Sequence, residues 1–284
     1  LVAMALRDMG EEAVSLSGAQ AGIRTNTLHG NARITGVYPK RVKQELSAGR
    51  VVIVAGFQGV SNTGGTTTLG RGASDITAVA LAAALEAEQC EIYSDVEGIY
   101  TADPNLVSSA RKLAEIGFEE MLEMASYGAK MHARSIQLGM QFDVPIVVAS
   151  SFSYNSGTLI HRGSAMAPNV GETSKRVTSI PTDDDVAKIS VLGLPNIPGT
   201  AASVFQPLAG EGISIDDIAQ NTRIDGTADI SFTVRRRDLS RAKDLAMTSV
   251  QGLGQGDVTS TDGLAKVSVV GIGMREAPGY ASAM

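Results

Sequence analysis

The sequence predicts an α/β protein: a mainly parallel sheet covered by helices on both faces, followed by a smaller, repeated region of strands and helices. From residue 1 to about 160, short apolar runs alternate with longer helical patterns, which is typical of parallel strands joined by crossover helices. In the second half, Ala-Lys-Ile-Ser-Val-Leu-Gly at 187–193 returns as Ala-Lys-Val-Ser-Val-Val-Gly at 265–271, and Pro198-Gly199 returns as Pro278-Gly279. The period is that of a small domain, so the second half predicts a duplicated unit.

The composition is that of a folded, acidic protein. With 284 residues, 43% of them hydrophobic, the chain has room for about two cores. The formal net charge of -6 argues against a nucleic-acid partner, because such partners select a basic face. No apolar run reaches the length of a membrane span and no basic-then-apolar leader opens the chain, so we expect no membrane association and a cytoplasmic location. Cys90 is the single cysteine, and we expect a buried thiol rather than a nucleophile.

Polar residues follow the predicted strands of the first half. Ser94 and Asp95 come after one strand, and Ser150, Ser151 and Ser153 after another. Ligands of open α/β sheets bind at the carboxyl ends of strands, so these residues predict a binding edge. Because the chain opens with Leu1, we also expect it to begin inside a longer protein. The predicted elements are a helix over the first nine residues, a buried strand at 51–55, a turn at 56–65, and strands at 90–93 and 144–148.

One unit of the second half has the order βαββα. Asp183-Asp184-Asp185 predicts an exposed turn rather than a metal site. The glycine- and proline-rich stretch at 163–175 predicts a linker. We expect the second copy of the repeat to be incomplete, because it breaks off at Met284 inside its first helix. The predicted elements are a strand at 187–193, a helix at 200–209, strands at 212–215 and 228–234, and a helix near 240–248.

The segment 66–75 reads Thr-Thr-Thr-Leu-Gly-Arg-Gly-Ala-Ser-Asp and precedes an alanine-rich helical pattern. Gly70 and Gly72 allow tight backbone conformations, the helix start attracts negative charge, and Arg71 can bind a carboxylate or phosphate through two parallel hydrogen bonds. Alternatively, this is a glycine turn in which Ser74 or Asp75 caps the helix. The residues alone leave both interpretations open. The spacing fits neither the P-loop nor the dinucleotide fingerprint.

A second polar cluster occupies residues 93–104. The chain leaves a strand, turns at Glu97-Gly98 and turns again at Asp103-Pro104. Such a loop could hold a purine nucleoside, with Tyr100 as a flat wall and Asp95 or Asp103 as acceptors, or it could be an ordinary connection. Lys130 could neutralise a phosphate, although by itself it reads as a surface lysine.

Together these motifs resemble the aspartate kinases, members of the amino acid kinase family that carry tandem ACT regulatory domains. The resemblance rests on segments 67–75, 93–104 and 128–130, on 29–33 and 54–60, and on the twin Pro-Gly repeats. It implies a three-layer αβα kinase domain at 1–165 and a regulatory region at 166–284, with a first ACT domain of βαββαβ type at about 186–262 and an incomplete second one from about 263. The implied reaction is transfer of the ATP γ-phosphoryl group, with Mg²⁺, to the β-carboxylate of L-aspartate, the entry to lysine, threonine and methionine.

The resemblance also implies site residues. Arg71 and Asp75 would be catalytic, with Arg71, Gly72 and Ser74 binding aspartate and no metal ligand assigned. Lysine, threonine or both would be effectors, and the ACT domains would form a homo-oligomer or an α/β hetero-oligomer. The implied ATP-binding residues are Tyr93, Ser94, Asp95, Tyr100, Asp103, Pro104 and Lys130, and the implied effector residues are Pro198, Gly199, Ile215, Asp216, Gln220 and Asn221, the last four facing the loop 194–200.

The chain departs from the family pattern in several places. The opening Lys-Phe-Gly-Gly segment and a substrate-binding glutamate are absent, Ala73 and Asn105 replace a usual glycine and arginine, and 130–134 is one residue short. We therefore expect this stretch alone to be inactive and its parent to be a kinase. The rivals are another kinase of the same fold and a non-catalytic amino-acid-binding regulatory subunit; an acceptor screen tests the first, and the substrate loops retained at 1–160 argue against the second.

Overall fold

The computed structural model describes residues 1–129, 131–163 and 177–271. Lys130, most of the predicted linker and Pro278-Gly279 lie outside these residues. The chain divides into two compact units, one formed by Leu1–Pro181 with the segment that starts at Val269, the other by Thr182–Ser268. No helix in the described ranges is both long and apolar enough to cross a membrane.

The first unit alternates short strands and helices as predicted. Its elements are α1 (Val2–Asp8), β1 (Ala13–Leu16), β2 (Ile23–Thr25), β3 (Ile34–Val37), α2 (Lys40–Ser47), β4 (Val51–Val54), β5 (Gln58–Ser61), β6 (Thr66–Thr68), α3 (Ser74–Leu85), β7 (Cys90–Ser94), β8 (Glu115–Gly117), α4 (Phe118–Ser126), α5 (Ala133–Phe142), β9 (Ile146–Ser150) and β10 (Thr158–His161).

Parallel pairing recurs in every sheet of this unit. β1 pairs with β4, β2 with β5, β7 with β9 and β8 with β10, all parallel, while β2–β3, β5–β6 and β9–β10 are antiparallel. The sheet orders are β1-β4, β3-β2-β5-β6 and β7-β9-β10-β8. The predicted α/β class with a mainly parallel sheet is confirmed.

The main core of the first unit lies between β7, β9 and β10 and the helices α3, α4 and α5. Phe118, Met121, Ile136 and Ile146 are fully or almost fully buried there. α3 is rich in alanine, so α5 can pack closely against it. This packing brings the start of α5 to the start of α3, and the site depends on that proximity.

The second unit is a four-stranded antiparallel sheet with two helices. Its core contains Val191, Leu194 and Leu208, and the rings of Phe205 and Phe232 meet edge to face at 5.3 Å. Its elements are β11 (Thr182–Pro195), α6 (Thr200–Gly210), β12 (Ile215–Thr222), β13 (Thr227–Arg235), α7 (Leu239–Leu253) and β14 (Asp257–Val267), with the sheet order β12-β13-β11-β14. The order along the chain is βαββαβ.

Several predicted elements differ from the structure. The predicted turn at 56–65 contains β5, because Gln58–Ser61 gains backbone partners on both sides, from β2 and β6. The strand at β4 is less buried than predicted, with Val51 43% exposed. The three aspartates at 183–185 lie in β11 beside a register irregularity, not in a turn. β14 runs across residue 263, where the repeat places a second copy, because it completes the first sheet by pairing with β11.

Candidate functional site

The loop between β6 and α3 has the tight backbone that its glycines predict. Gly70 has φ 103° and Gly72 has φ 72°, both in the region that favours glycine. α3 begins at Ser74, and its N-cap is Ala73, which makes no side-chain cap. The helix-capping interpretation of Ser74 and Asp75 is therefore wrong, since both lie inside the first turn. Ala73 has φ -87°, so replacing the usual glycine there requires no left-handed backbone.

The backbone amides of this loop point away from internal partners. The N–H groups of Gly70, Arg71 and Gly72 donate to no other residue in the described part of the chain, whereas Ala73 N donates to Gly70 O at 3.2 Å. The Arg71 side chain is exposed and forms no ion pair with a described residue. Open N–H groups at a helix start and a free guanidinium favour an anion. Of the two interpretations, the geometry supports the anion site.

Asp75 is held at the junction of α3 and α5. Burial raises the pKa of its carboxyl group above the ordinary value, while the backbone of His132, the Ser74 hydroxyl and its own backbone N–H oppose that rise. His132 is the N-cap of α5. The Asp75 carboxylate is therefore held from the neighbouring helix, at the start of α3 that follows the open amides.

The sequence analysis missed Arg134. This residue lies in the first turn of α5, and its guanidinium donates to Leu69 O at 2.8 Å and Ala32 O at 2.9 Å, with Asn31 Oδ1 at 3.4 Å. One signal could have found it. A cation in the first turn of a helix opposes the helix dipole, so it needs a specific partner.

A second missed feature is the loop after β4. Phe57 has φ 71°, an uncommon conformation for an aromatic residue, and two hydrogen bonds hold it there: Phe57 N donates to Thr77 Oγ1 at 3.0 Å and Leu69 N donates to Phe57 O at 3.0 Å. A Cβ atom on Gly56 would lie 3.3 Å from the Ser74 Cβ atom. The carboxyl end of β4 thus packs directly against the start of α3.

The second polar cluster forms a compact loop after β7. Ser94 Oγ donates to Asp95 Oδ1 at 3.0 Å. The backbones of Tyr100 and Lys112 form an isolated antiparallel β-bridge. Asp103 Oδ1 accepts from the backbone N–H of Asn105 at 2.8 Å, across Pro104. Asp103 therefore stabilises its own turn, and Asp95 and Tyr100 lie on the loop that follows Ser94 at the end of β7.

Tyr93 is placed differently from the rest of this cluster. Its hydroxyl donates to Glu91 Oε2 at 2.7 Å, two residues back along β7, which raises the pKa of Tyr93 and lowers that of Glu91. Residues two apart share one face of a strand. Tyr93 thus lies along the strand face, and its role at the nucleotide stays a prediction.

The loop after β9 joins the loop after β7, as parallel neighbours should. Ser151 N donates to Ser94 O at 2.8 Å, and Asn155 Nδ2 donates to Glu97 Oε1 at 3.1 Å. Two aromatic side chains that the sequence analysis did not single out, Phe152 and Tyr154, are almost fully exposed on this loop.

The single cysteine is buried, as predicted. Burial, together with the nearby carboxylates of Asp75 and Glu91, raises the pKa of Cys90 to about 11. A thiol with this pKa is protonated at neutral pH, so Cys90 is not poised as a nucleophile.

The predicted effector residues separate into two groups in the second unit. Gly199, with φ 96°, follows Pro198 and is the N-cap of α6. Gln220 and Asn221 pair with Ile230 and Asp229, near the Leu194 end of the sheet.

Ile215 lies at the other end of the sheet. It pairs with Val234, which pairs with Ala187, six residues along β13 from Ala228, or about 20 Å. At that end, Lys266 Nζ donates hydrogen bonds to Asp216 Oδ2 at 2.5 Å and to Asp217 Oδ2 at 3.0 Å. Within one unit, Ile215 and Asp216 therefore do not face the loop after β11, contrary to our prediction, because strand length separates them from it.

Fold and loops define the class: the Amino acid kinase family model matches residues 1–150, and the ACT domain model matches residues 189–246. The chain is 49% identical to an aspartokinase of Corynebacterium efficiens and 50% identical to one of Corynebacterium glutamicum, in each case over 98% of this chain. It is 43% identical to an aspartate kinase of Pseudomonas fluorescens over its whole length, covering 68% of that protein. The chain belongs to the aspartokinase family.

Solved structures agree. E. coli aspartokinase III in complex with aspartate and ADP (R-state) matches with a TM-score of 0.78 at 29% identity, over 98% of this chain and 62% of that one. The same enzyme in complex with lysine and aspartate (T-state) matches with a TM-score of 0.66 at 30% identity, over 95% and 59%. The chain spans 66% of the length of each of the two Corynebacterium relatives.

Proposed function

We propose that the protein carrying this chain is an aspartate kinase, which transfers the γ-phosphoryl group of ATP to the β-carboxylate of L-aspartate and releases 4-phospho-L-aspartate and ADP. The observation that carries this proposal is the loop of open amides at Gly70, Arg71 and Gly72, with an exposed guanidinium and a half-buried Asp75 beside it. Relatives named aspartokinase and the aspartate–ADP complex of E. coli aspartokinase III support it.

Each residue of the loop has a chemical role in this proposal. Arg71 binds the α-carboxylate of aspartate, because its planar fork matches a carboxylate in two parallel hydrogen bonds. The N–H of Gly72 and the Ser74 hydroxyl donate to the substrate. Asp75 lies beside the reacting carboxylate, where its carboxylate accepts hydrogen bonds from the substrate ammonium group and orients it. Because its pKa is raised, its ionisation depends on the occupants of the site.

The nucleotide is placed on the loop after β7. Ser94 and Asp95 contact the nucleoside, Tyr100 supplies an aromatic wall, and Asp103 with Pro104 shapes the turn. In this proposal Tyr93 borders the site from β7 and Lys130 contacts the phosphates. The catalytic domain is placed at 1–165 and the regulatory region at 166–284.

The chemistry needs alignment and charge neutralisation rather than a protein nucleophile. Arg71, the open amides and the start of α3 supply fixed positive charge to the carboxylate and the phosphoryl group. We propose that a Mg²⁺ ion is held mainly by the phosphates of ATP and by water, because Mg²⁺ is usually bound through one or two carboxylates plus substrate phosphates. Asp75 is the carboxylate best placed to contribute, and the ion would neutralise phosphate charge.

The second unit is proposed to be regulatory. E. coli aspartokinase III has been solved with lysine in a T-state and with aspartate and ADP in an R-state, so we propose that lysine, threonine or both inhibit through this unit. The loop at Pro198 and Gly199, with Gln220 and Asn221, is the proposed contact, and a homo-oligomer or α/β hetero-oligomer is the proposed assembly. Ile215 and Asp216 lie too far from this loop within one unit, so they would contribute only from another copy of the unit.

A coupled ADP-release assay on the complete gene product tests this function. We expect ATP- and aspartate-dependent turnover, with no turnover on glutamate, acetylglutamate or a nucleoside monophosphate. R71M is expected to lower kcat/KM by at least about a hundredfold, because two charge-assisted hydrogen bonds are lost. Turnover on another acceptor would favour another kinase of this fold. Amino-acid binding without turnover would favour a regulatory subunit.

A further inference from the structure

Arg134 occupies an unfavourable position for a cation. It is the second residue of α5, where the helix dipole presents positive charge, and burial together with the charge of Arg33 lowers the pKa of its guanidinium. Both terms cost free energy. Specific acceptors must therefore compensate for them, and those acceptors show what the residue holds.

The acceptors belong to two neighbouring segments: one contains Leu69, directly before the anion loop 70–72, and the other contains Ala32. One side of the fork donates to Leu69 O at 2.8 Å and the other to Ala32 O at 2.9 Å. The two segments are tied together by Ala32 N, which donates to Thr68 O at 2.8 Å. The two bonds come from two separate nitrogens, Nη1 and Nη2, whereas the three N–H donors of a lysine share one nitrogen and would have to reach both carbonyls from a single point.

The bond to Leu69 O has a direct consequence for the anion loop. A peptide unit is planar, so the orientation of Leu69 C=O fixes the orientation of the Gly70 N–H in the same unit. Leu69 is further held by its fully buried side chain and by its own N–H, which donates to Phe57 O. The first open amide of the loop is thus fixed from Arg134.

The same turn of α5 also fixes the other end of the loop, because the backbone of His132 hydrogen-bonds the Asp75 carboxylate. We propose that Arg134 is a positioning residue for the carboxylate substrate: by holding Leu69 O and Ala32 O, it presents the amides of Gly70, Arg71 and Gly72 to that carboxylate. Its guanidinium contacts the loop backbone, so in this proposal it acts on the substrate only through that loop. This inference rests on the proposed function, since it assigns the loop a carboxylate substrate.

The test compares R134M and R134K with R162M in the complete gene product. Arg162 is a matched control because it holds the opposite end of α5, donating to Asp143 Oδ1 at 3.0 Å and Met140 O at 2.8 Å. We expect R134M to raise the KM for aspartate about ten- to a hundredfold, since misplaced donors lose binding to a charged group. The KM for ATP should change less than about twofold, and R134K should lie between wild type and R134M. R162M should leave both KM values unchanged.

Folding is checked separately by near-ultraviolet circular dichroism. If R134M does not fold, R134K and the rescue of R134A by millimolar guanidinium carry the test: guanidinium should lower the KM for aspartate and not that for ATP. Equal changes in both KM values, or an unchanged KM for aspartate in folded R134M, would overturn the proposal. If the wild type shows no aspartate turnover, the proposed function fails, and calorimetric titration with aspartate decides the inference: weaker binding to R134M supports it, and equal or absent binding to both overturns it.

Discussion

Thr158, in β10, carries the buried hydroxyl that joins the loop after β7 to the sheet. Its side chain is fully buried, its Oγ1 accepts from Ile99 N at 2.9 Å, and it donates to Leu113 O at 2.6 Å. T158V keeps the shape and removes both bonds. The backbone N–H of Ile99 and the C=O of Leu113 would then each lose a partner.

The magnitude follows from those two groups. Each buried group left without a partner costs roughly 1–3 kcal/mol, and the added methyl returns about 0.8 kcal/mol, so we expect a net loss of about 3 kcal/mol. In a unit of this size, such a loss lowers Tm by roughly 6–12 °C. Because Ile99 precedes Tyr100, the KM for ATP should also rise, while the KM for aspartate stays nearly unchanged.

The assay is thermal and urea unfolding of wild type, T158V and T158S, followed by steady-state kinetics. T158S keeps the hydroxyl and loses one methyl, so it should cost only about 1 kcal/mol. The two units need not unfold together, so the transition is assigned to the first unit by its response to ATP. A loss below about 1 kcal/mol in T158V, or an equal loss in T158S, would refute this reasoning.

Three further predictions use the same kind of comparison. Burial raises the pKa of Asp75, so between pH 3.8 and the raised pKa the native state binds more protons than the unfolded chain, and stability falls as pH rises through that range. D75N should therefore be more stable than wild type at neutral pH but not well below pH 3.8, and its turnover should be lost. Urea titrations at several pH values measure this difference. Cys90, whose pKa rises from 9.0 to about 11, should react with a thiol reagent about a hundredfold more slowly in the native than in the unfolded protein, and equal rates would contradict its burial. G199A should destabilise the second unit by about 1 kcal/mol because Gly199 has φ 96°, whereas G210A, at the end of α6 with open space around it, should stabilise by about 0.5 kcal/mol in thermal unfolding.

Part of the architecture followed from local patterns. The helix that became α3, the strands β7 and β9 and the alternation in β13 were all predictable, because periodicity reports which residues face a core. The turn predicted at 56–65 was wrong, because Gln58–Ser61 becomes a strand only through partners at 23–25 and 66–68. The sequence of the aspartates at 183–185 predicts a turn, but these residues form part of β11 because that strand pairs with β13 and β14.

For the site, the sequence by itself determined the residue types: Gly70, Arg71 and Gly72 before a helix predict a tight, positively charged loop that either holds an anion or turns into the helix, because backbone freedom and charge are local properties. Only the tertiary structure decided that Ser74 and Asp75 do not cap that helix, that Asp75 meets the backbone of His132, and that Arg134 holds Leu69 O. Arg134 and Leu69 are 65 residues apart in the chain, and a contact of that span depends on the packing of α5 against α3, which no local pattern encodes.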